Sequence, residues 1–281
     1  MNIEDGAYGA RAVLVGEPSD QEVAELCDLA VQEVVINDGR GWRGRKVDFL
    51  AKLPWLRAVT LLSIVVPIED DSAVFELRNL VEMHLSTYSK ASADFGTMPL
   101  LEDLAFIWRK STIGLPSLTR LRSLCLVKYG RHNLEELAGM QDLETLQLLG
   151  GSLRTIHDIG SLGALRKICL GDLRRLDSLN GIENAKQLVS LTIDTCKRLA
   201  SIEPLAGCTN LRELRLANVG PIESLRPLQS LRHLESVLFA ESTDIQDGEI
   251  AFLREMGVRK VWYQNRKHYD IKREAFAPVQ P

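Results

Sequence analysis

The chain repeats itself. LVSLTIDTCKRLASIEPLAGC at 188–208 is followed by LRELRLANVGPIESLRPLQSL at 211–231, and both read L-x-x-L-x-L before carrying an apolar residue at every third position. The same opening recurs at Leu56, Leu80, Leu101, Leu121, Leu143, Leu165, Leu188, Leu211, Leu234 and Val258, at intervals of 24, 21, 20, 22, 22, 23, 23, 23 and 24 residues. Weaker copies stand at Val31 (VQEVVIND) and near Ala10 (ARAVLVGE), which makes about twelve units.

Such a period leaves few folds open. In L-x-x-L-x-L the last two leucines alternate, so they share one face of a short strand. One turn of chain cannot bury its own leucines. Stacked turns bury a continuous core, and each adds a parallel strand about 4.8 Å from the last. The spacing predicts strands at 33–36, 58–62, 82–86, 103–107, 123–127, 145–149, 167–171, 190–194, 213–217, 236–240 and 260–264. The return arms step by three in places, as in Leu153, Ile156, Ile159, Leu162 and Leu173, Leu176, Leu179, Ile182, which suits 3-10 geometry. Elsewhere short α-helices are expected. Ser19 and Glu22 form a capping box, Asn133 precedes LEELAGM, and Asp247 precedes GEIAFLREM, which Gly257 would end.

This pattern resembles the leucine-rich repeat family, L-x-x-L-x-L-x-x-N/C-x-L in units of 20–29 residues. The resemblance covers nearly the whole chain, and the 23-residue units with Cys196 in the ladder slot resemble irregular repeats from immune-receptor and bacterial proteins. It implies a right-handed α/β solenoid with a parallel concave sheet and short helical or 3-10 convex arms. Residues 1–281 read as one solenoid, with an N-terminal cap at 1–30, repeats at 31–242, and a terminal repeat and C-terminal cap at 243–281; the tail APVQP is expected to be mobile. The departure is the Asn/Cys slot, held by Gly151, Leu173, Cys196 and Val219 in successive units, so apolar packing is expected to hold that row.

Charge and cysteine usage narrow the function classes. Lys plus Arg is 34 and Asp plus Glu is 38, a net charge of −4, which argues against wholesale nucleic-acid binding. No apolar run is long enough to span a membrane, and the N-terminus is acidic where a signal peptide would be basic. Cys27, Cys125, Cys169, Cys196 and Cys208 are odd in number and scattered, unlike a disulfide framework or a zinc site. Free thiols and a reducing cytoplasm are expected, with no metal or cofactor.

Leucine-rich repeat proteins usually bind partners on the concave strand face, so the outward columns matter. The central column is expected to be Val35, Thr60, His84, Ala105, Cys125, Gln147, Cys169, Thr192, Arg215, Leu238 and Trp262. The neighbouring column is Asn37, Leu62, Ser86, Ile107, Val127, Leu149, Gly171, Asp194, Ala217, Ala240 and Gln264. Ile107, Val127 and Leu149 form an apolar run with Trp108 and Lys128 beside it and Leu62 further along. Exposed apolar clusters of this kind mark interaction sites. The partner-binding set is therefore Leu62, His84, Ile107, Trp108, Val127, Lys128, Leu149, Arg215 and Trp262; cover by a loop or by sheet curvature is the alternative reading.

Two further segments stand out. One is the basic stretch 259–273 around Trp262, Gln264 and Arg266, facing an acidic partner or forming a solvated cap. The other is GRGWRGRK at 39–46, a loop for anions or bases around Trp42, or a solvated loop. No G-x-S-x-G, P-loop, H-E-x-x-H or G-x-G-x-x-G occurs. Glu82, His84 and Asp103 are the one acid–base grouping, with no nucleophile converging on it. The expected function is a non-catalytic scaffold for a protein partner, such as a bacterial cytoplasmic adaptor or toxin-neutralising immunity protein. A hydrolase using the His84 patch and an anion or nucleic-acid binder using 39–46 are the alternatives.

Overall fold

The computed structural model describes residues 1–276; the APVQP tail lies outside the described residues. The chain divides into two compact units, residues 1–127 and residues from 128 onward. In the first, β1 (Asn2–Asp5) pairs antiparallel with β2 (Ala10–Leu14). From β2 the sheet is parallel through β3 (Glu33–Asn37), β4 (Ala58–Ser63), β5 (Glu82–Thr87), β6 (Asp103–Ile107) and β7 (Ser123–Tyr129), whose last two residues fall in the second unit.

The second unit continues with β8 (Thr145–Gly151), β9 (Lys167–Gly171), β10 (Ser190–Asp194), β11 (Glu213–Ala217), β12 (Ser236–Ala240) and β13 (Lys260–Tyr263), each parallel to the next. These strands coincide with the repeat. Its leucines face inward: Leu124, Leu146 and Leu191 are 0% exposed and Leu214 is 1% exposed. Two-residue bridges, Ala93–Asp94 with Thr112–Ile113 and Pro221–Ile222 with Asp244–Ile245, line the return side.

The arms follow their period. Where apolar residues step by three, backbone N–H groups donate to the third carbonyl back, as from Leu162 to Ile159 (3.1 Å) and Ile182 to Leu179 (3.0 Å). Ser19 and Glu22 make the expected capping box on α1 (Asp20–Asp28). Of the two other helix expectations one fails and one holds only for its last turn, which Gly257 (φ +75°) ends as expected. Asn133 caps nothing, and Glu135–Leu137 is a single 3-10 turn, because Leu134, Leu137, Met140 and Leu143 also step by three. Asp247 cannot cap a helix running through Gly248, whose φ is +70°. The helix α2 is only Phe252–Glu255, and Asp270 accepts the N–H groups of Ile250 (2.9 Å) and Ala251 (3.1 Å) ahead of it.

The ladder slot is mixed. Leu173, Cys196 and Val219 are buried, and the Cys196 thiol donates to the carbonyls of Leu170 and Asp194. Burial pushes that thiol up to about 11 and the Cys208 thiol up to about 12. Gly151 breaks the row: it is exposed and fills no space.

Candidate functional site

The register builds the outward columns by pairing. In the first unit Val35 pairs with Thr60, Thr60 with His84, His84 with Ala105, and Ala105 with Cys125. Beside them Asn37 pairs with Leu62, Leu62 with Ser86, and Ile107 with Val127. Leu62, Trp108 and Val127 are half-buried, but Ile107 is only 8% exposed. The expectation of an exposed Ile107 is corrected: it forms the floor of the face, alongside Val127 and next to Trp108, whose N–H donates to the Val127 carbonyl (2.9 Å).

The open apolar surface lies one step further along the strands. Ile64 and Val65 follow β4 and are 59% and 83% exposed; Tyr88 follows β5 and is 51% exposed. Ser63 and Thr87, the paired residues just before Ile64 and Tyr88, are buried. The turn carrying Ile64 and Val65 is pinned. The Asp38 carboxylate accepts their N–H groups at 2.8 and 2.6 Å, and these backbone bonds, that from Val65 foremost, hold Asp38 below the usual carboxylate range. The Ser63 hydroxyl donates to the Val66 carbonyl. Sequence reasoning missed these residues because they follow the strands, where the repeat assigns no inward or outward side. The run SIVVPIEDD, which interrupts the repeat with exposed-type positions filled by Ile and Val, was the available signal.

A buried ion pair anchors the far end of the same excursion. Arg109 occupies the ladder slot after Leu101-x-x-Leu104-x-Phe106 and is bidentate on Asp71, which is 0% exposed. Arg109 Nη1 lies 2.8 Å from Asp71 Oδ1 and also donates to the Ala91 carbonyl (3.1 Å). The Thr87 hydroxyl donates to Asp71 (2.6 Å) and accepts from Arg109 (2.9 Å). The guanidinium lies over the Phe106 ring at 5.2 Å. Loop 64–71 is thus held by a carboxylate at each end, beneath an apolar surface.

Toward the start of the strands the face turns acidic. His84 Nε2 lies 3.0 Å from Asp103 Oδ1, and its Nδ1 lies 3.7 Å from Glu82 Oε1. The hydrogen bond to Asp103 outweighs partial burial and raises the His84 pKa above its ordinary value. Both ring nitrogens therefore face carboxylates, an ion-pair arrangement. Among the described residues no group of three or more side chains could hold a metal ion.

The remaining candidates fall elsewhere. Trp42 is 0% exposed, so it offers no face for a base to stack on. Arg45 pairs with Glu69 (3.2 Å), and Glu17 accepts the backbone N–H groups of Arg45 (2.7 Å) and Lys46 (3.0 Å), so an internal carboxylate already occupies the loop's donors. In the second unit, Lys128 has a left-handed φ of +60°, Leu149 is half-buried and Arg215 is exposed. Trp262 is 38% exposed with Arg273 5.5 Å over its ring, and Arg266 donates to the carbonyls of Glu241 and Thr243. Much of the basic stretch is thereby taken up in packing.

Solved structures share this architecture. An internalin from Listeria monocytogenes (inlF) is similar with a TM-score of 0.59 and 18% identity, covering 85% of this chain and 78% of that one. Internalin C2 of the same organism is similar with a TM-score of 0.52 and 20% identity, covering 72% of this chain and 88% of that one. The fold is that of a leucine-rich repeat protein. No family model and no curated protein matches the sequence. Among the described residues no helix is long and apolar enough to cross a membrane.

Proposed function

We propose that this leucine-rich repeat chain is a non-catalytic scaffold that docks a protein partner on the outward strand face of residues 1–127, as an adaptor or an immunity protein that blocks a toxin. One observation carries the reading: Ile64, Val65 and Tyr88 are large, apolar and exposed, and the turn bearing two of them is pinned by Asp38. Side chains ordered in advance lose little entropy on docking, and exposed apolar clusters mark interaction sites. The five cysteines are free, which suits a reducing compartment such as the bacterial cytoplasm.

The test compares capture by the wild-type chain with capture by the Ile64→Ser, Val65→Ser variant, whose unchanged melting curve confirms folding. A protein held by the first and released by the second supports the reading. Capture indifferent to the substitutions, or turnover of a substrate abolished by His84→Ala, overturns it.

A further inference from the structure

The outward positions of β4 to β7 are Ala58, Thr60 and Leu62; Glu82, His84 and Ser86; Asp103, Ala105 and Ile107; and Ser123, Cys125 and Val127. They include two carboxylates and one imidazole but no Lys or Arg. Whether or not His84 carries a proton, its cluster with Glu82 and Asp103 is net negative. Several nearby cations are already engaged: Arg11 with Glu33 at 2.7 Å, Arg120 with Glu102 at 3.0 Å, and Arg57 over the Tyr8 ring at 5.2 Å, while the exposed Arg40 lies 3.9 Å from Glu4. The opposite, apolar end is followed by exposed charges of both signs, Lys90 and Lys110 with Glu69 and Asp70, so the uncompensated carboxylates stand at the start of the strands. Small side chains, Thr60, Ser86 and Ala105, floor the middle. A depression of about 240 Å³ opens to one side of it, between Leu62 and Glu82, with Thr60, Asn37, Glu33, Arg11 and Arg40 also in its lining. That volume is below the ~300 Å³ where small-molecule sites begin and suits a single long side chain.

We propose that this face recognises a partner-protein segment carrying Arg or Lys beside apolar side chains, the cation over Glu82, His84 and Asp103 and the apolar groups over Leu62, Ile64, Val65 and Tyr88. The inference rests on the docking reading above and names the chemistry of the partner. Tyr88 follows His84 by four positions, so cation and apolar anchor are about 13 Å apart at ~3.3 Å per residue.

The probe is a random linear peptide library displayed on phage and selected on the full-length chain. The expected winners interleave Arg or Lys with apolar residues. Their affinity falls about tenfold or more in Glu82→Gln, Asp103→Asn, and likewise in Ile64→Ser, Val65→Ser. It is unchanged when the exposed Asp177 and Glu255 are neutralised, which separates local from net charge. Winners without cationic excess, or winners that ignore Glu82→Gln, Asp103→Asn while losing affinity in Ile64→Ser, Val65→Ser, overturn the proposed chemistry and leave the docking face standing. Winners that ignore Ile64→Ser, Val65→Ser, or a selection that yields none, overturn both.

Discussion

Gly150 and Gly151 are adjacent, both at positive φ, and differ in what a side chain would meet. Gly150 has φ +71°, the ordinary left-handed region, and a Cβ there would find only Asp172 Oδ2 at 3.9 Å. The equivalent position of the following coils, just past each strand, is held by Asp172 (φ +48°), Thr195 (+55°), Asn218 (+53°) and Glu241 (+60°), so this turn of the coil accepts side chains. Gly151 has φ +114°, and its Cβ would stand 2.2 Å from the Tyr129 carbonyl oxygen and 2.6 Å from its backbone nitrogen. Backbone cannot yield as a flexible side chain would. Gly150→Ala should therefore cost about 1 kcal/mol, and Gly151→Ala on the order of 3 kcal/mol. Urea unfolding midpoints at unchanged slope measure both; equal losses would show that the Tyr129 contact does not constrain the turn.

At the scale of an element, the loop after β4 depends on Asp71 and Arg109. Neither was visible in the sequence as a pair, because they are 38 residues apart and the repeat marks Arg109 only as an odd occupant of an apolar slot. Removing one partner leaves a buried charge with nothing opposite it. Arg109→Met alone should cost about 3–5 kcal/mol, whereas Asp71→Leu with Arg109→Met should recover most of that loss, because apolar replacement of a whole buried pair is often neutral. A double-mutant cycle read by denaturant unfolding decides the matter, and simple additivity of the two losses would refute the coupling. By contrast, the outward columns on β4 to β7 were legible, because strand alternation and register follow directly from L-x-x-L-x-L. What alternation does not encode is how far a neighbour shields an outward residue, so Ile107 was placed on the correct face with the wrong exposure. Turn residues such as Val65 have no period to betray them.

On the scale of the whole chain, the repeat makes each strand's surroundings nearly the same. The inward Leu191, Leu214 and Val237 of β10, β11 and β12 meet residues of the coils on either side, as the pairing of Leu191 with Leu214 and of Leu214 with Val237 shows. That is why the fold could be read from spacing alone while the binding chemistry could not: spacing repeats, and the outward side chains do not. It also shapes how damage spreads. Leu214→Ala removes a side chain that is 1% exposed and should cost about 2–5 kcal/mol through lost burial and the cavity left behind. Because coils in such arrays contact only their neighbours, the destabilisation should be local. Amide hydrogen exchange should accelerate at 190–194, 213–217 and 236–240 and change far less at 145–151 in the same unit. Uniform acceleration across all four strands would mean that the second unit opens as one block, and the nearest-neighbour account of its stability would fail.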